Sequence, residues 1–195
     1  MRKKIIITGG LGYIGTELCK IYSGVSWHHH IIVLDNRFIS ERVNQIRNWN
    51  MEFIHGDILD KDLINKHFKN ADVVHHLAGI TSVPRTKSES SREQDEKIKL
   101  VAEQGTQNIL NAISNECKLI FPSTHVVYEG ISEVRKDIKE DETTQPVLSY
   151  STSKAANEKQ LRESGKNYVI LRLGSVYGYS NDTMRIDIMP NLFSK

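Results

Sequence analysis

The stretch TGGLGYIG, residues 8 to 15, restricts what this chain can fold into more than any other. Its glycines at 9, 12 and 15 sit between a short apolar run, KKIIIT (3 to 8), and a segment with helical spacing, GYIGTELCKIYS (12 to 23). In such a strand, turn and helix the first glycine permits the tight turn. The second lets the backbone approach a diphosphate at the helix N-terminus, and the third lets helix and strand pack closely. A purely structural glycine turn would use the same residues, so the next element decides. A second apolar run, HIIVLD (30 to 35), ends in Asp35, 20 positions beyond Gly15, where a carboxylate can receive the ribose hydroxyls of NAD. Arg37 follows closely enough to cover an adenine or to tolerate a 2′-phosphate; the acid weighs toward NAD.

The alternation continues along the chain. Further apolar runs are MEFIH (51 to 55), ADVVHHLA (71 to 78), KLIFPS (118 to 123) and NYVILRL (167 to 173). Between them lie the helical patterns ERVNQIRNW, DKDLINKHF, EQDEKIKLVAEQGTQNILNAISN and SYSTSKAANEKQLRES. Short, nearly continuous apolar strands separated by helices predict a parallel sheet covered on both faces, a doubly wound α/β domain of Rossmann type. Residues 80 to 92, 129 to 148 and 174 to 195 read as loops. A chain of 195 residues supports one sizeable core. Its net charge of +2 comes from interspersed acids and bases, which argues against a nucleic-acid partner. No apolar run reaches the roughly 20 residues of a membrane span, and MRKK leads into a short strand instead of a signal sequence's apolar stretch, so a cytoplasmic location is expected. Cys19 and Cys117 lack metal or disulfide spacing and read as reduced, partly buried thiols.

YSTSK, residues 150 to 154, places Tyr150 and Lys154 four positions apart at the start of a helical pattern. Residues at that spacing share a helical face, so an ammonium can lower the pKa of an adjacent phenol and make it usable as a base near neutral pH. By itself the pair is also what an amphipathic surface helix contains.

Taken in order, TGGLGYIG (8 to 15), VLDN (33 to 36), GDILD (56 to 60), HHLAG (75 to 79), QGTQNILNA (104 to 112), PSTHVVY (122 to 128), YSTSK (150 to 154) and RLGSVYG (172 to 178) resemble the extended short-chain dehydrogenase/reductase family, in its branch of NAD-dependent nucleotide-sugar epimerases and dehydratases. The resemblance covers essentially the whole chain. It implies that Gly9, Gly12, Tyr13, Ile14, Gly15, Asp35 and Asn36 hold NAD, that Asp57 and Ile58 lie beside its adenine, and that Leu77, Ala78 and Gly79 line its path. It further implies Tyr150 as catalytic acid and base, Lys154 as ligand of the nicotinamide ribose and tuner of Tyr150, and Thr124 as hydrogen-bond partner of the reacting sugar oxygen. The expected activity is epimerisation of a nucleotide sugar through a keto intermediate; the alternatives are a reductase or dehydratase, or an inactive dinucleotide-binding module. In the resembling family the helices near 93 to 115 and 149 to 165 pair across a two-fold axis, which implies a homodimer. Both helices also carry apolar positions beyond the needs of one sheet face.

Some positions depart from the family pattern. Ala102 and Ser175 stand where asparagine is usual. After Thr124 come His125 and Val126, where family dehydratases hold an Asp-Glu pair and decarboxylases tend to hold a glutamate at the second position. Valine cannot transfer a proton, so epimerisation or plain oxidoreduction is favoured over dehydration, unless a carboxylate from another loop, such as Glu129, takes the pair's place. Residues 1 to 178 are expected to form the NAD-binding domain, with 179 to 195 the start of a substrate portion that is missing or truncated. His28 to His30 read as a solvated turn and not a metal site; His76, ending a strand beside the groove, reads as a packing or orienting residue. The SESSREQDEK run reads as a solvated loop and helix start.

Overall fold

The computed structural model describes residues 1–81 and 86–180. Six strands form one parallel sheet in the order β3-β2-β1-β4-β5-β6. They are β1 (Lys4–Thr8), β2 (His30–Asp35), β3 (Glu52–His55), β4 (Val73–His76), β5 (Lys118–Thr124) and β6 (Asn167–Leu173). The helices between them are α1 (Tyr13–Ser23), α2 (Ser40–Asn48), α3 (Lys61–Phe68), α4 (Arg92–Ala112) and α5 (Ser149–Glu163). All six expected strands and all five expected helices form. β4 is shorter than the apolar run that announced it: Ala71 and Asp72 precede it, and Leu77 and Ala78 follow it at the cleft, with Leu77 still donating to the Thr8 carbonyl at 3.2 Å. Residues 82–85 of the first expected loop, and 181–195 of the expected substrate portion, lie outside the described residues.

Each central strand feeds two cores, as its period of two requires. Ile5 and Ile7 of β1 and Ile31 and Val33 of β2 bury against Cys19, Val43 and Ile46 of α1 and α2. Ile6, Ile32 and Leu34 point the other way, into a cluster with Ile64 and Phe68 of α3, Ile109 of α4 and Leu161 of α5. Fully burying each such side chain contributes roughly 1.5–3 kcal/mol. The strand order reverses between β1 and β4, and in an open parallel sheet that reversal leaves a crevice beyond the carboxyl ends of the strands. Among the described residues no helix is long and apolar enough to cross a membrane, and no cluster of His, Cys, Asp and Glu is arranged to hold a metal. Cys19 and Cys117 are buried and free, and burial pushes their thiols up to about 12 and about 11. His30 starts β2, as the HIIVLD run implied, and its Nε2 meets Glu52 at 2.9 Å, so only His28 and His29 belong to the turn before the strand.

Candidate active site

A cleft of about 1150 Å³ opens over the carboxyl ends of the strands, and the glycine turn, Asp35, Thr124, Tyr150 and Lys154 all line it. Gly9 has φ +69°, and a Cβ there would lie 2.8 Å from the Ala78 nitrogen. Its own N–H donates to the Leu34 carbonyl at 2.7 Å. Gly15 faces back into the turn, where a Cβ would come within 2.2 Å of the Gly9 oxygen, so the start of α1 closes directly on the glycine turn. No side chain caps the N-terminus of α1 at Gly12. An uncapped helix N-terminus facing a cleft offers free N–H groups and a positive dipole end to a diphosphate.

At the end of β2 the Asp35 side chain is 4% exposed. One carboxylate oxygen accepts from the Leu11 N–H at 2.9 Å; the other accepts from the backbone N–H of Arg37 at 3.0 Å and from its Nε at 3.3 Å. A carboxylate has about four acceptor sites, so capacity remains for ribose hydroxyls. Arg42 of α2, which the sequence reading passed over, donates from Nη1 to the Leu11 carbonyl at 2.7 Å and also lines the cleft. No sequence spacing signalled it, since its partner is a backbone atom 31 residues away. Asn36 and Asp57, drawn from separate motifs, meet at 3.0 Å through Asn36 Nδ2, and Asp57 also accepts from the Leu59 N–H at 2.9 Å. Ile58, Leu77, Ala78, Gly79, Tyr13 and Ile14 complete this end of the cleft. The Tyr13 hydroxyl donates to the Gly178 carbonyl at 2.5 Å, fastening the segment after β6 over α1.

The opposite wall is built by β5 and α5. Thr124 ends β5, 8% exposed, and its Oγ1 accepts from the Val126 N–H at 3.3 Å. That bond uses an acceptor site and leaves the hydroxyl proton available to a ligand. Lys154 donates from Nζ to the Pro122 carbonyl at 2.7 Å; its Nζ lies 4.4 Å from the Phe121 ring centroid and 5.9 Å from that of Tyr150. Burial lowers the Lys154 ammonium to about 8, and the Glu158 carboxylate works against that fall. The shared helical face expected for Tyr150 and Lys154 is therefore present, and it faces the cleft instead of solvent.

His76 is 2% exposed and bridges two hydroxyls, Thr8 Oγ1 at Nδ1 and Thr106 Oγ1 at Nε2, each at 3.0 Å. Burial, with the Lys154 charge adding to it, lowers its pKa to about 3, so the ring is neutral in ordinary buffers. Thr8 Oγ1 also accepts from the Ala78 N–H at 3.0 Å. The ring thereby joins β1, β4 and α4, in keeping with the packing or orienting role expected of it.

His125 is exposed, and its Nδ1–H donates to the Leu173 carbonyl at 3.2 Å. Glu129 is engaged elsewhere: one of its oxygens accepts from the N–H groups of Val147 and Leu148, at 2.8 and 2.7 Å, and from the Ser151 hydroxyl. Burial would raise its pKa, but the bonds from Ser151, Leu148 and Val147 outweigh burial and hold it below the usual carboxylate range. Ser175 lines the cleft, and the carbonyl of Ala102 accepts from Asn157 Nδ2 at 3.0 Å, tying α4 to α5. The SESSREQDEK run starts α4 as expected, with Ser91 capping the helix and Arg92 and Glu96 paired on its exposed face at 2.7 Å, but it is not solvated throughout: Gln94 and Lys97 line the cleft.

A family model described as the NAD dependent epimerase/dehydratase family matches residues 5–193. CDP-paratose 2-epimerase of Salmonella typhi is 31% identical over 205 residues, covering 90% of this chain and 58% of that protein. The dTDP-D-glucose 4,6-dehydratase of Dictyostelium discoideum is 29% identical over 197 residues, 90% of this chain and 44% of that protein. Among solved structures, UDP-glucuronic acid 4-epimerase from Bacillus cereus, in complex with UDP-glucuronic acid and NAD, superposes with a TM-score of 0.76 at 28% identity, over 96% of this chain and 60% of that one. The chain thus spans about half the length of the curated relatives it matches, from 44% to 58% in these two.

Proposed function

The chain belongs to the NAD dependent epimerase/dehydratase family, and from that premise we propose that its cleft binds NAD and epimerises a nucleotide sugar. The observation that carries this reading is the convergence of Thr124, Tyr150 and Lys154 on the wall of the cleft whose other end holds the glycine turn and Asp35. NAD, when bound, supplies the hydride acceptor; the residues around it bind, orient and move protons. The uncapped N-terminus of α1 takes the diphosphate, and Asp35 takes the adenosine ribose. Tyr150 accepts the proton of the sugar hydroxyl, Thr124 donates a hydrogen bond to the same oxygen, and Lys154 favours the phenolate by its charge and binds the nicotinamide ribose. Return of the hydride to the opposite face of a rotated keto sugar needs no further acid.

Dehydration would need one group to protonate the leaving hydroxyl and another to take a carbon-bound proton. Val126 can do neither, and Glu129 is engaged by Val147, Leu148 and Ser151 at the entry to α5. A homodimer through α4 and α5 and a cytoplasmic location belong to the same reading. To test the chemistry, the protein expressed from its complete reading frame is incubated with NAD and a panel of nucleotide sugars. An epimer is the expected product, and a stable 4-keto-6-deoxy sugar would mean that dehydration is the reaction. Tyr150→Phe is expected to lower turnover by at least about 100-fold, the low end of a general base's contribution, with NAD affinity nearly unchanged. Turnover at the wild-type rate would remove Tyr150 from the chemistry.

A further inference from the structure

Two side chains one turn apart on α5 grip two consecutive residues of β5. Lys154 donates from Nζ to the Pro122 carbonyl at 2.7 Å, and Glu158 accepts from the Ser123 hydroxyl at 2.5 Å. The next residue of β5 is Thr124. The Glu158 side chain is 1% exposed, a costly place for a carboxylate unless it is fully paired. It is paired on both oxygens. Oε1 accepts from Ser123 and from Arg172 Nε at 3.0 Å, while Oε2 accepts from Arg172 Nη2 at 2.7 Å and Arg162 Nη2 at 3.0 Å. Arg172, from β6, reaches on to the Tyr128 hydroxyl and to the Glu140 carbonyl at 2.9 Å.

We propose that Glu158 is a positioning residue of the candidate site: it holds the Thr124 end of β5 against the Tyr150 and Lys154 face of α5 and places its carboxylate one helical turn from the Lys154 ammonium. The inference rests on the roles proposed above for those three residues and adds one that touches none of the reacting atoms. The groups facing Lys154 come from several elements. β4 presents His76, which is neutral; β5 presents the Phe121 ring and the Pro122 carbonyl; α5 presents Tyr150 and Glu158. Lys97 of α4 lines the same cleft, and Arg172 of β6 acts from behind Glu158. In that company Glu158 opposes the effect of burial, which alone would discharge the ammonium at lower pH.

The test is an NMR titration of lysine ε-carbons in the unliganded chain, with Lys154→Arg assigning the resonance. Wild-type Lys154 is expected to titrate near 8. Glu158→Gln should lower that midpoint by on the order of one pH unit, since the carboxylate one turn along the same helix is removed. Glu158→Asp, which restores the charge, should bring back most of the shift. Should Glu158→Gln fail to fold because it strands Arg172, the double variant Glu158→Gln with Arg172→Gln removes both charges, and the same downward direction is expected. A Lys154 midpoint unchanged in the amide variants, or shifted equally by Gln and Asp, would overturn the proposal; a brace without an electrostatic role predicts such an unchanged midpoint. The titration involves no turnover or cofactor, so its failure leaves the epimerase reading standing. Failure of NAD to bind would remove that reading and leave the Lys154 titration as it is.

Discussion

A neutral imidazole clamped between two hydroxyls makes position 76 sensitive to acid. The unfolded chain would protonate His76 near 6.5, whereas the folded chain resists until about 3. Between those values the unfolded state binds the extra proton, so stability falls as pH falls. At pH 5 the expected loss from this residue is roughly 2 kcal/mol relative to pH 7. Urea unfolding of wild type and His76→Asn at both pH values checks it: the variant should lose less stability on acidification by about that amount, and equal losses would contradict the assignment. The orienting role of His76 was legible from its place at the end of an apolar run. Its partners were not, because Thr8 and Thr106 lie 68 and 30 residues away and no spacing rule connects them. Glu158 was invisible for the same reason: a glutamate in a helical pattern reads as solvated until the fold brings Arg172 and Ser123 against it.

The elements were read correctly because each announces itself locally. Short apolar runs bounded by turn residues specify buried parallel strands, and the glycine turn specifies how the first strand meets the first helix. How an element is finished at its ends is set by distant residues. α5 carries Tyr150 in its first turn, and the approach to that turn is fixed by Glu129, 18 to 22 residues upstream, which accepts from the N–H groups of Val147 and Leu148 and from the Ser151 hydroxyl. Without that carboxylate, two backbone donors and the Ser151 hydroxyl lose their shared acceptor. Glu129→Ala is therefore expected to cost about 1.5–3 kcal/mol, the usual worth of a hydrogen bond to a charged group. Denaturant unfolding measures this directly, and unchanged stability would show that Glu129 is dispensable to α5.

At the scale of the molecule, the expected apolar excess on α4 and α5 is smaller than the sequence suggested. The two helices meet through amide side chains, with Gln160 Nε2 donating to the Glu103 carbonyl at 3.1 Å and to Gln107 Oε1 at 3.3 Å. Among the large apolar residues of these helices Leu100 is exposed, at 53%. Light scattering at micromolar concentration is expected to give the mass of a homodimer, and a monomer would remove α4 and α5 from the proposed interface.

The sheet order and the site both converge on the switch point between β1 and β4, where Asp35 and the α1 N-terminus form one end of a single cleft and Tyr150 and Lys154 the other. That convergence makes cofactor binding the property on which everything else depends. Calorimetric titration of NAD and of NADP into the purified chain is the most direct measurement. The account predicts one NAD site per chain and weaker binding of NADP, because the Asp35 carboxylate repels a 2′-phosphate. NADP binding as tight as NAD or tighter would contradict it by handing that end of the cleft to Arg37 and Arg42, and no binding of either would contradict it altogether.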